Sequence, residues 1–140
     1  MELCKFFNES EKMNIIINNL RFNIENESKI RTSGYYNKFL FSLKEKEYVY
    51  GGCYGVVVKN NLHVRLLWID KKYRRKKFAT SLIKETEKFA KGQGCSFITV
   101  NTIANKIADK FYKKLGYYIE YAKVDKTTGE VYENYYRKDL

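Results

Sequence analysis

The hydrophobic period changes twice between residues 61 and 100, and this change constrains the fold more than any other feature of the chain. Residues 61–69 are a short apolar run rich in Val and Leu, which is typical of a β-strand. Residues 78–90 then place their apolar side chains on one face at 3.6-residue spacing, which predicts an amphipathic helix. Residues 95–100 are a second short apolar run. A strand, a helix and a strand in this order predict two parallel strands joined by a right-handed crossover.

The segments before residue 61 show two hydrophobic patterns, one typical of strands and one typical of a helix. Residues 38–44 and 47–58 are rich in Val, Tyr, Phe and Leu and are separated by polar, turn-like stretches. Together with residues 61–69 they predict a three-stranded antiparallel meander. Nearer the N-terminus, apolar residues recur at helical spacing from Ser10, a suitable N-cap, to Phe22, which predicts a first helix.

The segments after residue 100 predict a helix followed by a hairpin. The helix ends at Gly116 and carries five apolar or aromatic side chains on the face that we expect to pack on the core, namely Ile107, Ala108, Phe111, Tyr112 and Leu115. Residues 117–124 and 131–137 are strand-like and are joined by the turn sequence 125–129. The chain is therefore predicted to be one α/β domain over residues 1–140. Its mixed, mostly antiparallel central sheet contains one parallel pair and is flanked by helices.

Composition restricts the class of protein and its compartment. Hydrophobic residues make up 44% of the chain and aromatic residues 16%, which excludes an intrinsically disordered chain. No apolar run approaches the roughly 18 residues that span a bilayer, and the first residues lack the pattern of a secretory signal. The three cysteines, Cys4, Cys53 and Cys95, are widely spaced and indicate neither a disulfide framework nor a zinc site. We therefore expect a cytoplasmic protein with no metal.

The net charge of +11 favours an anionic partner, and one segment shows where it would bind. Six of the eight residues from Asp70 to Lys77 are Lys or Arg, and they connect the predicted strand 61–69 to the predicted helix. The first turn of a helix has backbone N–H groups without intrahelical acceptors and the positive end of the helix dipole. A pyrophosphate is the group that we expect at this site.

The same segment resembles the phosphate-binding loop of the GNAT acetyltransferases. That family has [Q/R]-x-x-G-x-[G/A] between its fourth strand and the next helix, and Arg74 and Ala79 match the first and last positions, whereas Lys77 replaces the glycine. In the family the loop amides hold the pyrophosphate of acetyl-CoA. Lys77 could still offer its amide if its backbone angles are ordinary. The resemblance assigns cofactor binding to Arg74, Arg75, Lys76, Lys77, Phe78, Ala79 and Thr80.

A second motif is similar to the family signature N-x-x-A-x-x-x-Y-x-x-x-G-[F/Y]. Asn105, Ala108, Tyr112, Gly116 and Tyr117 match it. The resemblance implies that the Asn105 side chain binds the pantetheine arm and that the Tyr112 hydroxyl protonates the departing CoA thiolate. Asn105 and Tyr112 are seven residues apart, so both lie on one helix face. The resemblance covers residues 61–117 and extends to the N-terminal half only through the order of elements.

The resemblance also implies a reaction and a cofactor channel. Strands four and five of the family separate, so pantetheine would enter between Leu67, Trp68 and Ile69 on one side and residues 101–102 on the other. An amine would attack the thioester directly, with backbone N–H groups of strand four polarising the carbonyl. We therefore expect an acetyl-CoA-dependent N-acetyltransferase acting on a primary amine of a small molecule or a peptide, without a membrane or nucleic-acid partner. The motifs are compatible with a monomer and with a homodimer.

The proton acceptor and the identity of the amine are not determined by the motifs. Where many relatives have a Glu, this chain has Arg65 and Val100, and Arg65 would favour an acceptor that carries a carboxylate or a phosphate. Four other side chains are candidates for the base: Asp70, Glu47, His63 and Asp109. Two other functions stay open: an acetyl-CoA-binding domain without turnover, and a basic nucleic-acid-binding protein. The latter would present Tyr and Phe between Lys and Arg on one exposed sheet face.

Overall fold

A seven-stranded mixed sheet organises the chain in the computed structural model, which describes residues 2–7, 16, 37–46 and 48–140. The strands are β1 (Glu2–Phe7), β2 (Asn37–Glu45), β3 (Tyr48–Val58), β4 (Asn61–Ile69), β5 (Phe97–Ile103), β6 (Tyr118–Val124) and β7 (Val131–Asp139). The sheet order is β1-β2-β3-β4-β5-β7-β6, and only β4 and β5 are parallel among the described pairs. The described helices are α1 (Phe78–Gly92) and α2 (Lys106–Lys114), and a 3-10 turn covers Lys71–Tyr73.

The predicted order of elements is confirmed from β2 onward, including the parallel pair around α1 and the C-terminal hairpin. The prediction missed β1, which pairs with β2 at the edge of the sheet. It also began β5 two residues too early, because Cys95 and Ser96 still belong to the connection from α1. The predicted first helix, residues 10–22, lies outside the described residues except for Ile16, which is helical and buried.

Both described helices pack on one face of the sheet, called here the helix face. Leu62, Val64, Ile98 and Val100 project from β4 and β5 into a cluster that includes Leu82, Ile83 and Ala90 of α1 and Tyr112 of α2. The burial of these apolar side chains is the main stabilising contribution to such a fold. The predicted core face of α1 is confirmed.

The predicted core face of α2 is wrong at one position. Ile107 is 81% exposed, whereas Ala108, Phe111, Tyr112 and Leu115 pack against the core. The four packed residues follow the i, i+3, i+4, i+7 spacing of one helix stripe. Ile107 stands in the first turn of the helix, outside that stripe.

A β-bulge in β4 exchanges the two faces of that strand. Tyr54 of β3 is opposite Leu66 and Gly55 is opposite Val64, so Arg65 is the extra residue on β4. Before the bulge, Val64 projects toward the helix face. After it, Leu66 packs in a second cluster on the opposite face, together with Tyr54.

The parallel pair separates soon after it forms. β4 and β5 are paired only from Asn61 with Phe97 to Val64 with Val100, although both strands continue beyond these residues. The strand ends therefore diverge, and a gap opens in the middle of the sheet. Of the helices that the structure describes, none is both long and apolar enough to cross a lipid bilayer.

The C-terminal hairpin exposes several aromatic side chains. Every residue of β6 is exposed, and Tyr118, Tyr121 and Tyr132 are each about half exposed. The reason is that β6 is the edge strand and is hydrogen-bonded only to β7. Alternating apolar residues on an edge strand without a covering layer stay in contact with solvent.

Candidate functional site

Aromatic side chains fix the start of the basic loop to the sheet. The Tyr73 ring stacks on that of Tyr50 with centroids 4.3 Å apart, and Phe78 packs on Tyr50 at 5.6 Å. The Asp70 carboxylate accepts hydrogen bonds from the Tyr48 hydroxyl and, at 3.1 Å, from the Lys72 amide. These hydrogen bonds keep the pKa of Asp70 below its usual value, so this carboxylate is charged and caps the 3-10 turn. The loop therefore leaves β4 in a defined direction.

The remainder of the loop brings the predicted phosphate-binding residues to the first turn of α1. The Arg74 Nε donates to the Ile69 carbonyl at 2.7 Å, which ties this side chain to the end of β4. Arg74, Arg75, Lys76 and Lys77 are all exposed. The structure thus brings these four cations together with the start of the helix.

Lys77 has a left-handed backbone conformation, with φ 64° and ψ 19°. The condition of ordinary backbone angles, under which Lys77 could offer its amide, is therefore not met. A left-handed conformation costs a residue with a Cβ roughly 1–2 kcal/mol relative to the right-handed one, whereas glycine adopts it freely. This geometry explains why a glycine suits the position.

The N-terminus of α1 presents backbone donors to solvent. Lys77 is the N-cap and its side chain makes no capping hydrogen bond, and the first intrahelical bond runs from the Ser81 amide to the Lys77 carbonyl at 3.1 Å. By helix geometry, the amides before Ser81, those of Phe78, Ala79 and Thr80, have no intrahelical acceptor. This arrangement of amides and cations is suited to a pyrophosphate or another anion.

Asn105 is the N-cap of α2. Its Oδ1 accepts from the Ala108 amide at 2.7 Å, and its Nδ2 donates to the Ile103 carbonyl at 3.1 Å. The side chain is exposed, and these bonds fix its orientation. Its predicted contact with pantetheine stays a prediction.

Two apolar residues near Asn105 were not recognised as site residues from the sequence. Ile103 is 54% exposed and Ile107 is 81% exposed, and they lie two residues before and after Asn105. Exposed isoleucines at the diverging end of β5 provide apolar surface where a ligand could cover it. Exposure is the signal that identifies them, and the sequence pattern alone placed Ile107 in the core.

Tyr112 lies under the sheet on the helix face and is 4% exposed. Its ring packs against Tyr136 and Tyr117, with centroids 4.9 Å and 5.7 Å away. Burial raises the pKa of the Tyr112 hydroxyl far above its usual value, with further contributions from Cys53 and Tyr136. The phenol therefore carries its proton at neutral pH. Its neighbour Cys53 is paired with Leu67, in the segment of β4 that no longer pairs with β5.

Leu67, Trp68 and Ile69 form the end of β4 at the gap, and their predicted place beside pantetheine stays a prediction. Of the three carboxylates considered as bases, the two that the structure describes are bound by other groups. Asp70 is bound within the loop, and Asp109 accepts from the Tyr136 hydroxyl at 2.7 Å and pairs with Lys113 at 2.9 Å. Glu47 lies outside the described residues.

Among the base candidates that the structure describes, His63 lies in the paired segment of β4 and β5, one residue before the pairing ends. Its Nδ1 is 2.7 Å from the Thr99 hydroxyl, and its Nε2 is 3.0 Å from the Asn101 Oδ1. Asn101 in turn donates to the Glu133 carboxylate at 2.7 Å. The sequence contains no local signal for this network, because its members come from β4, β5 and β7. It lies on the face opposite the helices.

Comparison with known proteins relates these features to a family. Residues 10–117 match the family model described as Acetyltransferase (GNAT) family. An acetyltransferase from Bacillus cereus is 25% identical, with 95% of each chain covered and a TM-score of 0.67. The ribosomal-protein-S18-alanine N-acetyltransferase from Escherichia coli is 13% identical over 98% of this chain and 94% of that one, with a TM-score of 0.70.

A third solved structure contains a ligand. The PaiA N-acetyltransferase from Thermoplasma acidophilum, solved in complex with coenzyme A, is 22% identical. The match covers 72% of this chain and 60% of that chain, with a TM-score of 0.58. No curated protein sequence gives a significant match.

Proposed function

Because the chain belongs to the GNAT family of acetyltransferases, we propose that it transfers the acetyl group of acetyl-CoA to a primary amine of a small molecule or a peptide. The observation that carries this proposal is the junction of β4 with α1. There a left-handed Lys77, amides without intrahelical acceptors and four exposed cations meet beside a gap between two parallel strands. A molecule with a pyrophosphate and a long, thin arm fits such a combination.

The residues fit acetyl-CoA along its length. The amides and side chains from Arg74 to Thr80 would hold the pyrophosphate at the start of α1. Asn105 would bind the pantetheine amides, and the exposed Ile103 and Ile107 would cover its methylene groups. The gap between the ends of β4 and β5 would then admit the thioester. Bound acetyl-CoA supplies an activated acyl group, and positioning it next to an amine is the main task left to the protein.

Tyr112 and the end of β4 are suited to the chemistry itself. Peptide N–H groups of β4 that have lost their β5 partners are available to polarise the thioester carbonyl. The buried Tyr112 hydroxyl keeps its proton at neutral pH and would deliver it to the departing sulfur. Its proximity to Cys53, the partner of Leu67, supports this role.

The exposed aromatic hairpin is the one observation that favours nucleic acid. Tyr121 and Tyr135 stack at 4.1 Å, and Lys123 lies 5.3 Å above the Tyr135 ring. However, the basic residues there are paired with acids: Lys123 with Glu133 at 3.7 Å, and Arg137 with Asp139 at 2.9 Å. Cations already neutralised in this way attract phosphates weakly. The hairpin therefore supports nucleic-acid binding less well than the junction of β4 with α1 supports acetyl transfer.

Calorimetric titration with acetyl-CoA, with ATP as the polyanion control, tests the proposal. We expect saturable binding of acetyl-CoA that is clearly tighter than that of ATP, because only acetyl-CoA can use both the basic loop and the gap. Thiol release should then follow with at least one class among polyamines, aminoglycosides, amino acids and tripeptides. Equal affinity for ATP would contradict the assigned site, and binding without turnover by any class would indicate a cofactor-binding domain.

Lys77→Ala and Lys77→Gly should separate the charge of Lys77 from its backbone conformation. Both variants lose the ammonium, so we expect both to bind acetyl-CoA a few-fold more weakly, as for an exposed charge worth about 0.2–1 kcal/mol. Only the glycine variant relieves the left-handed conformation, so it should unfold a few degrees above the alanine variant for a gain of about 1 kcal/mol. Titration and thermal unfolding measure the two effects. Tighter binding by Lys77→Gly than by the natural protein would show instead that the Cβ obstructs the phosphates.

A further inference from the structure

A hydrogen-bonded chain of polar side chains crosses the sheet at the point where the gap between β4 and β5 opens. His63 is paired with Thr99 one residue before the last paired residues, Val64 and Val100. The imidazole and its partners lie on the face opposite the helices. From the bulge geometry and the described contacts, we propose that His63, working through the Thr99 hydroxyl, accepts the proton that the amine loses during acetyl transfer. This proposal rests on the function proposed above.

In this proposal the two substrates reach the gap from opposite faces of the sheet. α1, whose N-terminus presents the anion site, packs on the helix face together with Tyr112. An acyl group delivered from that side reaches the opposite face only through the gap between β4 and β5. An amine that reaches the gap from the opposite face would pass the rung of His63 and Thr99, one residue before the pairing ends. This rung is the natural position for the group that removes a proton from the amine.

The hydrogen bonds define which nitrogen of His63 is free to accept a proton. The Glu133 carboxylate only accepts, so the Asn101 Nδ2 must face it, and the Asn101 Oδ1 is left to face His63. The Nε2 of His63 is consequently the protonated nitrogen and donates to Asn101. The lone pair of Nδ1 then faces the Thr99 hydroxyl, 2.7 Å away, and is the nearer of two acceptors for its proton, the other being the Asn61 Oδ1 at 3.3 Å. An imidazolium formed here would be stabilised through Asn101 by the Glu133 charge.

The surroundings keep the imidazole neutral before the reaction. Burial lowers the pKa of His63, the hydrogen bond to Asn101 raises it, and the neighbouring Arg65 lowers it again. Beyond Arg65, four further charged groups face the row of side chains that contains His63: Lys38 of β2, Arg137 and Glu133 of β7, and Lys123 of β6. Three of these are cations, of which Arg137 and Lys123 are paired with acids. Glu133 acts on His63 through Asn101. A neutral imidazole is the form that can accept a proton.

The transfer of atoms and protons balances. The amine nitrogen forms a bond to the acetyl carbon, and the bond from that carbon to sulfur breaks. One proton of the nitrogen passes to the Thr99 oxygen while the Thr99 proton passes to the Nδ1 of His63. The sulfur takes the proton of the Tyr112 hydroxyl in the proposed mechanism. After the amide and the thiol leave, His63 releases its proton to water and Tyr112 regains one.

The experiment compares kcat/KM for thiol release across pH in His63→Gln, Thr99→Val and Thr99→Ser, using the most reactive amine of the panel. We expect His63→Gln and Thr99→Val to lose about 10²–10³-fold in kcat/KM, with acetyl-CoA affinity unchanged. Thr99→Ser keeps the hydroxyl and should retain most activity, which a merely structural role for Thr99 would not require. In the natural protein kcat/KM should fall as the pH decreases through the pKa of His63. This fall, the acidic limb of the pH profile, should be missing in His63→Gln.

Arg65→Gln provides a test that does not remove the proposed proton acceptor. Since the Arg65 charge lowers the pKa of His63, its removal should move the acidic limb of the profile to higher pH. A His63→Gln protein that keeps this limb, or a Thr99→Val protein as active as Thr99→Ser, overturns the inference. If His63→Gln does not fold, the comparison of Thr99→Val with Thr99→Ser and the pH profile of Arg65→Gln still test the inference. Absence of turnover by the natural protein would instead overturn the proposed function.

Discussion

Replacing Tyr112 with Phe is expected to lower kcat for acetyl transfer by about 10²-fold or more, within the usual range for loss of a general acid. The substitution removes one hydroxyl from a ring that packs between Tyr136 and Tyr117, so the packing of the ring is retained. Affinity for acetyl-CoA should therefore be unchanged. Steady-state thiol release and calorimetric titration of the same preparation give the two quantities.

Tyr117→Phe is the matched control for this prediction. The Tyr117 hydroxyl donates to the Glu87 carboxylate at 3.0 Å, and Glu87 keeps its ion pair with Lys138 at 3.0 Å when that bond is lost. We expect Tyr117→Phe to lower the free energy of unfolding by about 1 kcal/mol and to leave kcat unchanged. If kcat of Tyr112→Phe equals that of the natural protein, the Tyr112 hydroxyl is not the general acid. An equal fall in both variants would attribute the loss to stability.

The features predicted correctly are those that short segments specify. The period change between residues 61 and 100 is enough to predict β4, α1 and β5, because each element must present one apolar face to a shared core. The turn at residues 125–129 follows from Asp125, whose carboxylate accepts from the Thr127 and Thr128 amides, and from Gly129 at a positive φ. In each case the stabilising partner lies within a few residues.

The features that were missed depend on partners distant in sequence. β1 is an edge strand whose pairing with β2 joins residues about forty positions apart, so no local pattern distinguishes it. Arg65 becomes the bulged residue only because of how β3 aligns with β4. The roles of His63 and Asn101 arise because β7 lies beside β5 and supplies Glu133. The left-handed angle of Lys77 was signalled only by the glycine that the family has there.

Replacing Gly55 with Ala is expected to have the largest effect on stability. A Cβ at Gly55 would lie 2.1 Å from the His63 carbonyl oxygen and 2.8 Å from Cε1 of Phe39. The first contact is with the backbone of β4 beside the bulge, so it can be relieved only by moving the two strands apart. We expect a loss of about 3 kcal/mol or more in the free energy of unfolding, at the upper end for overpacking.

Gly92→Ala is the control, because the added Cβ meets no heavy atom within 4 Å at the last residue of α1. It should leave stability unchanged or raise it by up to about 1 kcal/mol, since alanine is the better helix former. Thermal and denaturant unfolding of both variants measure the contrast. Equal stability of Gly55→Ala and the natural protein would show that β3 does not approach His63 this closely. The close approach matters for function because the β4 backbone that it fixes carries the proposed proton acceptor at the edge of the gap.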